Sequence, residues 1–283
     1  MQSKKVYLFP ANGIHHHAYE GILSNPLAIV YPPLRDATTP IPKNLSWHYF
    51  HDDCQNFISG HGLHGLGHSL GGTLLLYDAI KHPNRWDTIV IVEPALFSQA
   101  VIVMAWVVRF LNLSYYLHPM IRITKHRRST FKNKETVFNR WRNHAAFKNL
   151  SDASLTQFIE ASLTNDGYQL RFPKQWEIEI YKSMGTLDSF IWKNLHKLTS
   201  KLVVVAAETS NTFLTSARQQ LKRHAQEFLT IPNTSHLLPF ETPTALKTIM
   251  NNITNPQKQC LTACLSSIGH CIYEPTPWHD PHE

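Results

Sequence analysis

The stretch Leu63-His64-Gly65-Leu66-Gly67-His68-Ser69-Leu70-Gly71-Gly72 decides how this chain folds. Leu63–Leu66 reads as a short buried strand. The apolar run from Leu70 to Ile80 reads as a helix, stopped by His82-Pro83-Asn84. Between them Gly67-His68-Ser69-Leu70-Gly71 fits G-x-S-x-G. A strand that turns directly into a helix holds its central residue in a strained backbone conformation, so the flanking residues must be small. Such a turn lifts the Ser69 hydroxyl out of the sheet and sets the positive end of a helix behind it. With only 11 glycines in the chain, the pattern rarely arises by chance. The plainer reading, Ser69 as an ordinary helix cap, does not account for the paired glycines.

Outward from this turn, strand and helix signals alternate. Val6–Phe9 reads as a strand ending at Pro10-Ala11-Asn12-Gly13, and Leu27–Tyr31 as a second, stopped by Pro32-Pro33. Ser46 to Ile58 has helical spacing. Thr88–Val92, Leu202–Ala206 and Phe228–Ile231 are further strands. Continuous β-branched runs separated by helices predict an α/β fold with a mostly parallel central sheet covered on both faces. The middle of the chain, rich in Trp, Arg and Lys, has helical periodicity and no strong strand signal. The expected organisation is a core of residues 1–97 and 200–254, an inserted helical cap of residues 98–199, and a tail of residues 255–283.

A serine hydroxyl needs a base within hydrogen-bond reach to act as a nucleophile. Among 18 histidines, His236 stands out because its polar loop, Asn233-Thr234-Ser235-His236, follows the last predicted core strand. His68, adjacent to Ser69, is the rival; neighbours at a sharp turn point apart, so it reads as packing beside the turn or touching substrate. Glu93 closes the strand Ile91-Val92 and Glu208 follows Ala206-Ala207. A carboxylate ending an apolar strand needs a partner, and holding His236 in the right tautomer supplies one. Glu93 is therefore favoured as the orienting acid, with Glu208 as the alternative and pairing with a cap arginine as the competing role for Glu93. The backbone N–H groups of Ile14 and Leu70 are the expected donors to an oxyanion, and Asn12-Gly13 permits the tight turn before Ile14. His15-His16-His17 follow at once and read as contacts at a pocket mouth rather than as metal ligands.

Together these residues resemble the α/β-hydrolase superfamily, and more closely its single-domain bacterial esterase- and lipase-like members with an Ala-Asn-Gly oxyanion loop. The similarity is carried by Phe9-Pro10-Ala11-Asn12-Gly13, Gly67 to Gly72, Val90 to Pro94, and His236 to Pro243. Arg127-Arg128 with Phe131, Asp166-Gly167-Tyr168 with Leu170-Arg171-Phe172, and Glu177 to Tyr181 add to it. The resemblance implies an α/β-hydrolase fold with a helical cap over the strand ends, and cofactor-free hydrolysis through an acyl-enzyme. Two departures stand out. The family's usual first hairpin is expected to be absent, and Ser210 and Asn211 stand where an aspartate is usual. Dehalogenases and epoxide hydrolases of the same fold use an aspartate nucleophile, which Ser69 argues against.

The expected reaction is hydrolysis of a small or medium apolar ester, with no metal or organic cofactor. Ala100–Val108, with Trp106 and Phe110, is expected either to line the substrate pocket or to join cap to core, with a role at a lipid interface as the further alternative. Other acyl chemistries, such as thioester, amide or C–C hydrolysis or perhydrolysis, and an inactive binding protein are the competing functions. The 27 Lys+Arg against 20 Asp+Glu leave a net charge of +7, but the charges are scattered and predict no nucleic-acid partner. The opening segment lacks the apolar length of a secretory signal, and the longest apolar run, Ala100–Val108, is far too short to span a bilayer. A cytoplasmic protein without stable membrane insertion is expected. Cys260, Cys264 and Cys271, with His270, His279 and His282, match no zinc spacing and read as part of a loosely ordered tail.

Overall fold

The computed structural model describes residues 6–22, 27–29, 39–111, 113–164, 166, 169–254 and 272–273. In chain order the elements are β1 (Val6–Phe9), β2 (Leu27–Ile29), α1 (Trp47–Gln55), β3 (Leu63–His68), α2 (Leu70–Lys81) and β4 (Trp86–Val92). Then come α3 (Gln99–Phe110), α4 (Ser114–Leu117), α5 (Pro119–His126), α6 (Lys134–Arg142), α7 (Asp152–Ser162), α8 (Lys174–Lys182) and α9 (Asp188–Asn194). The chain returns through β5 (Lys201–Ala207), α10 (Thr215–Lys222), β6 (Glu227–Ile231), α11 (Leu238–Glu241), α12 (Pro243–Thr254) and β7 (Ile272–Tyr273). Short 3₁₀ turns occupy His16–Tyr19, Ala145–Phe147 and Leu195–Lys197.

The strands form one sheet in the order β2-β1-β3-β4-β5-β6-β7, parallel except for the β6–β7 pair. Alternation along the strands builds two cores. Tyr7, Phe9, Ile89, Ile91, Leu202 and Val204 face one way, while Val6, Leu8, Val90, Val92, Val203 and Val205 face the other. Helices α1, α2, α9 and α10 cover the first face, and α7, α11 and α12 the second. The insertion between β4 and β5 contributes to both clusters, through Trp176, Ile180 and Ile191 on one side and Leu155, Phe158 and Ile159 on the other. Sheet and insertion therefore share their hydrophobic interior.

Two expectations change in the described structure. β3 continues past Leu66 to His68, because Gly67 and His68 still pair with Ile91 and Val92 of β4. The tail contributes Ile272 and Tyr273 as an antiparallel partner of β6, which covers that sheet edge. The rest of the tail, with its Cys/His cluster, and Val30-Tyr31 of the second expected strand lie outside the described residues. Among the described residues no helix is long and apolar enough to cross a membrane.

The chain reverses its order of addition between β1 and β3. In open α/β sheets ligand crevices lie outside the carboxyl ends of the strands flanking such a switch point. The loops at those ends are Pro10–Ile14 and the turn at Ser69.

Candidate active site

Ser69 sits between β3 and α2 with φ 54° and ψ −120°, in the half of backbone space that side chains disfavour. Its N–H donates to Val92 O at 3.0 Å and its carbonyl accepts from Ala95 N at 3.1 Å, so the strand pairing fixes the turn. A Cβ at Gly71 would lie 1.9 Å from Phe9 O, so only glycine lets α2 start against the end of β1. This contact sets the start of α2 against the end of β1 and Pro10.

His236 reaches Ser69 from the loop after β6, with Nε2 3.0 Å from Oγ. The loop is braced at several points. Ser235 donates to Glu241 through its backbone N–H and hydroxyl, both at 2.6 Å, and Thr209 donates to Thr234 O through N–H (3.1 Å) and hydroxyl (2.8 Å).

Glu93 is fully buried, with φ 47°. The sheet register sets Val92 beside both His68 and Val205, so Glu93 emerges one strand over from Ser69. Its Oε1 accepts from Ala207 N at 2.7 Å and from Arg218 Nη2 at 3.2 Å, leaving Oε2 3.3 Å from His236 Nδ1. Arg218 belongs to α10, not to the insertion, so the arginine considered for Glu93 comes from another element and coexists with His236. Glu208 is exposed and accepts from Asn233 N at 2.8 Å, which braces the His236 loop from outside. At the position usual for an aspartate, Ser210 Oγ instead accepts from Thr212 N and Phe213 N and closes a local turn.

His68 is 1% exposed and packs beside the turn. Its Nε2 donates to His236 O at 2.9 Å and its Nδ1 pairs with Tyr19 OH at 2.8 Å. Tyr19 in turn accepts from Ala11 N at 3.1 Å. Burial, reinforced by the nearby His236, lowers the His68 pKa to about 3, so the ring stays neutral and ties the loop after β1 to the loop bearing His236.

The Ile14 N–H donates to Ala11 O at 3.3 Å, closing a turn in which Gly13 takes φ 74°. The donor is engaged, although at the long end of the hydrogen-bond range.

Glu177 of α8 lies against this turn, with its carboxylate 3.2 Å from where a Gly13 Cβ would stand. Arg127 pairs with Glu177 through both guanidinium nitrogens, Thr124 donates to it at 3.2 Å, and Asn12 Nδ2 donates to its carbonyl at 3.4 Å. Tyr181 lies beside Glu177 and Asn12, and burial followed by the Glu177 charge holds its hydroxyl firmly protonated. Asn12 Oδ1 accepts no bond from the described residues.

A cavity of about 260 Å³ opens beside Tyr181. Val101, Met104, Ala105 and Val108, one face of α3, line it with Leu117 and Met184. Trp106 and Phe110, expected in the pocket, stack on each other on the opposite face and are 64% and 71% exposed. Tyr19, Arg218 and Tyr181 act at this site without having been singled out from the sequence for such a role. Only Tyr181 carried a signal, as the end of the Glu177–Tyr181 segment.

Among the described residues two side-chain groups have the composition of metal ligands. His15, His16 and His17 stack beside the loop after β1 with ring centroids 4.0–4.6 Å apart. Burial lowers the pKa of His15 to about 3 and of His16 to about 4, while His17 pairs with Glu20. In the second group, His51, Asp78 and His82, the buried Asp78 already accepts from Arg85 at 2.9 Å and Trp86 at 2.8 Å, which fits a structural ion pair better than a cation site.

Residues 15–247 match the Alpha/beta hydrolase family. The chain belongs to that family. This makes it an enzyme of the hydrolase class, built on the family's parallel sheet flanked by helices. No curated protein sequence matches it. Among solved structures it is similar to a peroxisomal alpha-beta-hydrolase of Saccharomyces cerevisiae, with TM-score 0.67, 14% identity, and 94% of this chain and 84% of that one covered. It is also similar to a Mycobacterium tuberculosis esterase (TM-score 0.63, 16% identity, 89% and 86% covered). A third is a thermophilic esterase from Thermogutta terrifontis (TM-score 0.59, 16% identity, 88% and 89% covered). At these identities the likeness of this hydrolase to them is one of fold.

Proposed function

We propose that this hydrolase is a serine esterase acting on small or medium apolar esters through an acyl-enzyme. The observation that carries the reading is the relay Ser69 Oγ–His236 Nε2 at 3.0 Å and His236 Nδ1–Glu93 Oε2 at 3.3 Å, at the sheet's switch point. His236 takes the Ser69 proton as Oγ attacks the ester carbonyl. The buried Glu93 carboxylate stabilises the resulting imidazolium and fixes its tautomer. The Leu70 N–H and the dipole of α2 face the tetrahedral oxyanion, with the Ile14 N–H sharing its long turn bond as the second donor. Collapse expels the alcohol, protonated by His236. Water deprotonated by the same imidazole then attacks the acyl carbonyl and restores Ser69.

The chemistry uses only the chain's own side chains and backbone, with no cofactor assigned. In this reading residues 98–199 are the cap over the core of residues 1–97 and 200–254, and the cavity beside Tyr181 receives the acyl chain. In this reading the enzyme works in the cytoplasm. An inactive binding role found its support in the aspartate missing after β5; Glu93, reaching His236 from β4, removes that support. Labelling with a fluorophosphonate probe and mapping the peptide tests the reading. The expected adduct is on Ser69 and disappears in His236→Ala; folded protein that takes no label rules the esterase out.

A further inference from the structure

Helix α3 is apolar over nearly its whole length, yet none of its residues is buried. Its inner row lines the cavity beside Tyr181, while Val103, Trp106, Val107 and Phe110 face outward at 42–71% exposure. The outward surface continues through Tyr116 of α4 and Ile123 of α5. So large a contiguous apolar surface marks an interaction site.

Charge says what covers it. Between Glu93 and Glu135 the chain has no Asp or Glu but seven Lys and Arg residues. Arg109, Arg122, Lys125 and Arg128 are exposed. Arg122, Lys125 and His126 converge with Tyr115 and Tyr116 on a surface depression of about 530 Å³. Apolar and aromatic side chains rimmed by cations, on helices too short to span a bilayer, match the chemistry of an anionic lipid interface. There the apolar face sinks below the headgroups and the cations meet the phosphates. A second copy of the chain would set this cationic rim against itself.

We propose that the face formed by α3, α4 and α5 docks this protein on anionic lipid bilayers, with the depression between Tyr115 and Lys125 receiving a lipid phosphate. The protein lies on the bilayer without crossing it. Val101, Met104 and Val108, on the inner side of the docked helix, then put the cavity within reach of lipid-dissolved esters; this consequence alone rests on the esterase reading.

The test is co-sedimentation of the full chain with phosphatidylcholine vesicles, with and without phosphatidylglycerol. Binding is expected only with phosphatidylglycerol, and it weakens as salt is raised. Arg122→Gln/Lys125→Gln is expected to lower the partition coefficient about thirty-fold, the effect of two surface charges. Val103→Asp/Ile123→Asp is expected to abolish binding while leaving turnover of a water-soluble short-chain ester unchanged. Ser69→Ala is expected to bind like the unmodified chain. Absence of binding, binding to neutral vesicles alone, or binding indifferent to Val103→Asp/Ile123→Asp overturns the proposal. A dimer in sedimentation velocity that the same two aspartates dissolve also overturns it, by assigning the face to a second copy. Failure of fluorophosphonate labelling with vesicle binding intact refutes the esterase reading and leaves the docking face standing.

Discussion

Ser69, Glu93 and Asn233 each hold a positive φ without being glycine, and together they frame the reacting groups. Such strain persists only where the surroundings over-determine it, and here hydrogen bonds from the neighbouring strand or loop hold each residue. The two carboxylates considered for the relay differ in what they touch. Glu93 has both oxygens bonded in the interior and one aimed at His236, whereas Glu208 braces Asn233 in water. Glu93→Gln is therefore expected to lower kcat for a p-nitrophenyl ester by roughly 10³–10⁴-fold, as loss of the orienting acid does elsewhere. Glu208→Gln is expected to stay within a few-fold. The reverse result in steady-state kinetics transfers the role of the acid to Glu208.

At the scale of elements, α8 does more than pack. Glu177 rests on Gly13, and Arg127, at the end of α5, neutralises it. Arg127→Leu leaves a buried carboxylate without its charge partner beside the Gly13 turn. The expected loss is ~2 kcal/mol, less than for a fully enclosed pair because Arg127 keeps 36% of its side chain exposed. If the pair positions the loop, kcat falls with little change in KM, and Arg127→Leu/Glu177→Leu recovers stability in urea unfolding without recovering kcat. A purely structural pair would recover both. This contact was only half legible. Arg127 and Glu177 belong to segments that resemble the family, but their partnership crosses 50 residues and depends on how α5 and α8 pack. The inner and outer faces of α3 were not legible, because a helix apolar all round carries no periodic mark of which side faces inward.

Over the whole molecule, two buried titratable groups oppose each other with pH. Asp188, at the start of α9, accepts from Phe97 N at 2.6 Å and ties the end of the insertion to its beginning. Burial raises its pKa to about 7 despite that bond. The folded state therefore holds a proton that the unfolded chain releases near pH 4, so this group's contribution is fully present below about pH 4 and is lost as pH rises towards 7. His68 acts in the opposite sense. Its lowered pKa contributes stability above the unfolded value near 6.5 that is lost as pH falls towards 3. Asp188→Asn is expected to raise Tm at pH 8 and to converge with the unmodified chain at pH 4, by calorimetry across that range. A constant difference in Tm refutes the buried-acid account.

The sequence by itself determined the strands and helices of the core, the sharp turn at Ser69, and the short set of groups able to serve it. These features are local: hydrophobic period, stop signals and paired glycines are visible within a dozen residues. Tertiary structure alone decided the rest, because register and packing join residues that local patterns leave independent. The pairing of β4 between β3 and β5 brought Glu93 rather than Glu208 to His236. Packing of α10 supplied Arg218, and burial gave His68, read as packing beside the turn or touching substrate, its partners as a strut between two loops. The packing of α3 left Trp106 and Phe110 facing water, where only the surface of the assembled fold gives them a role.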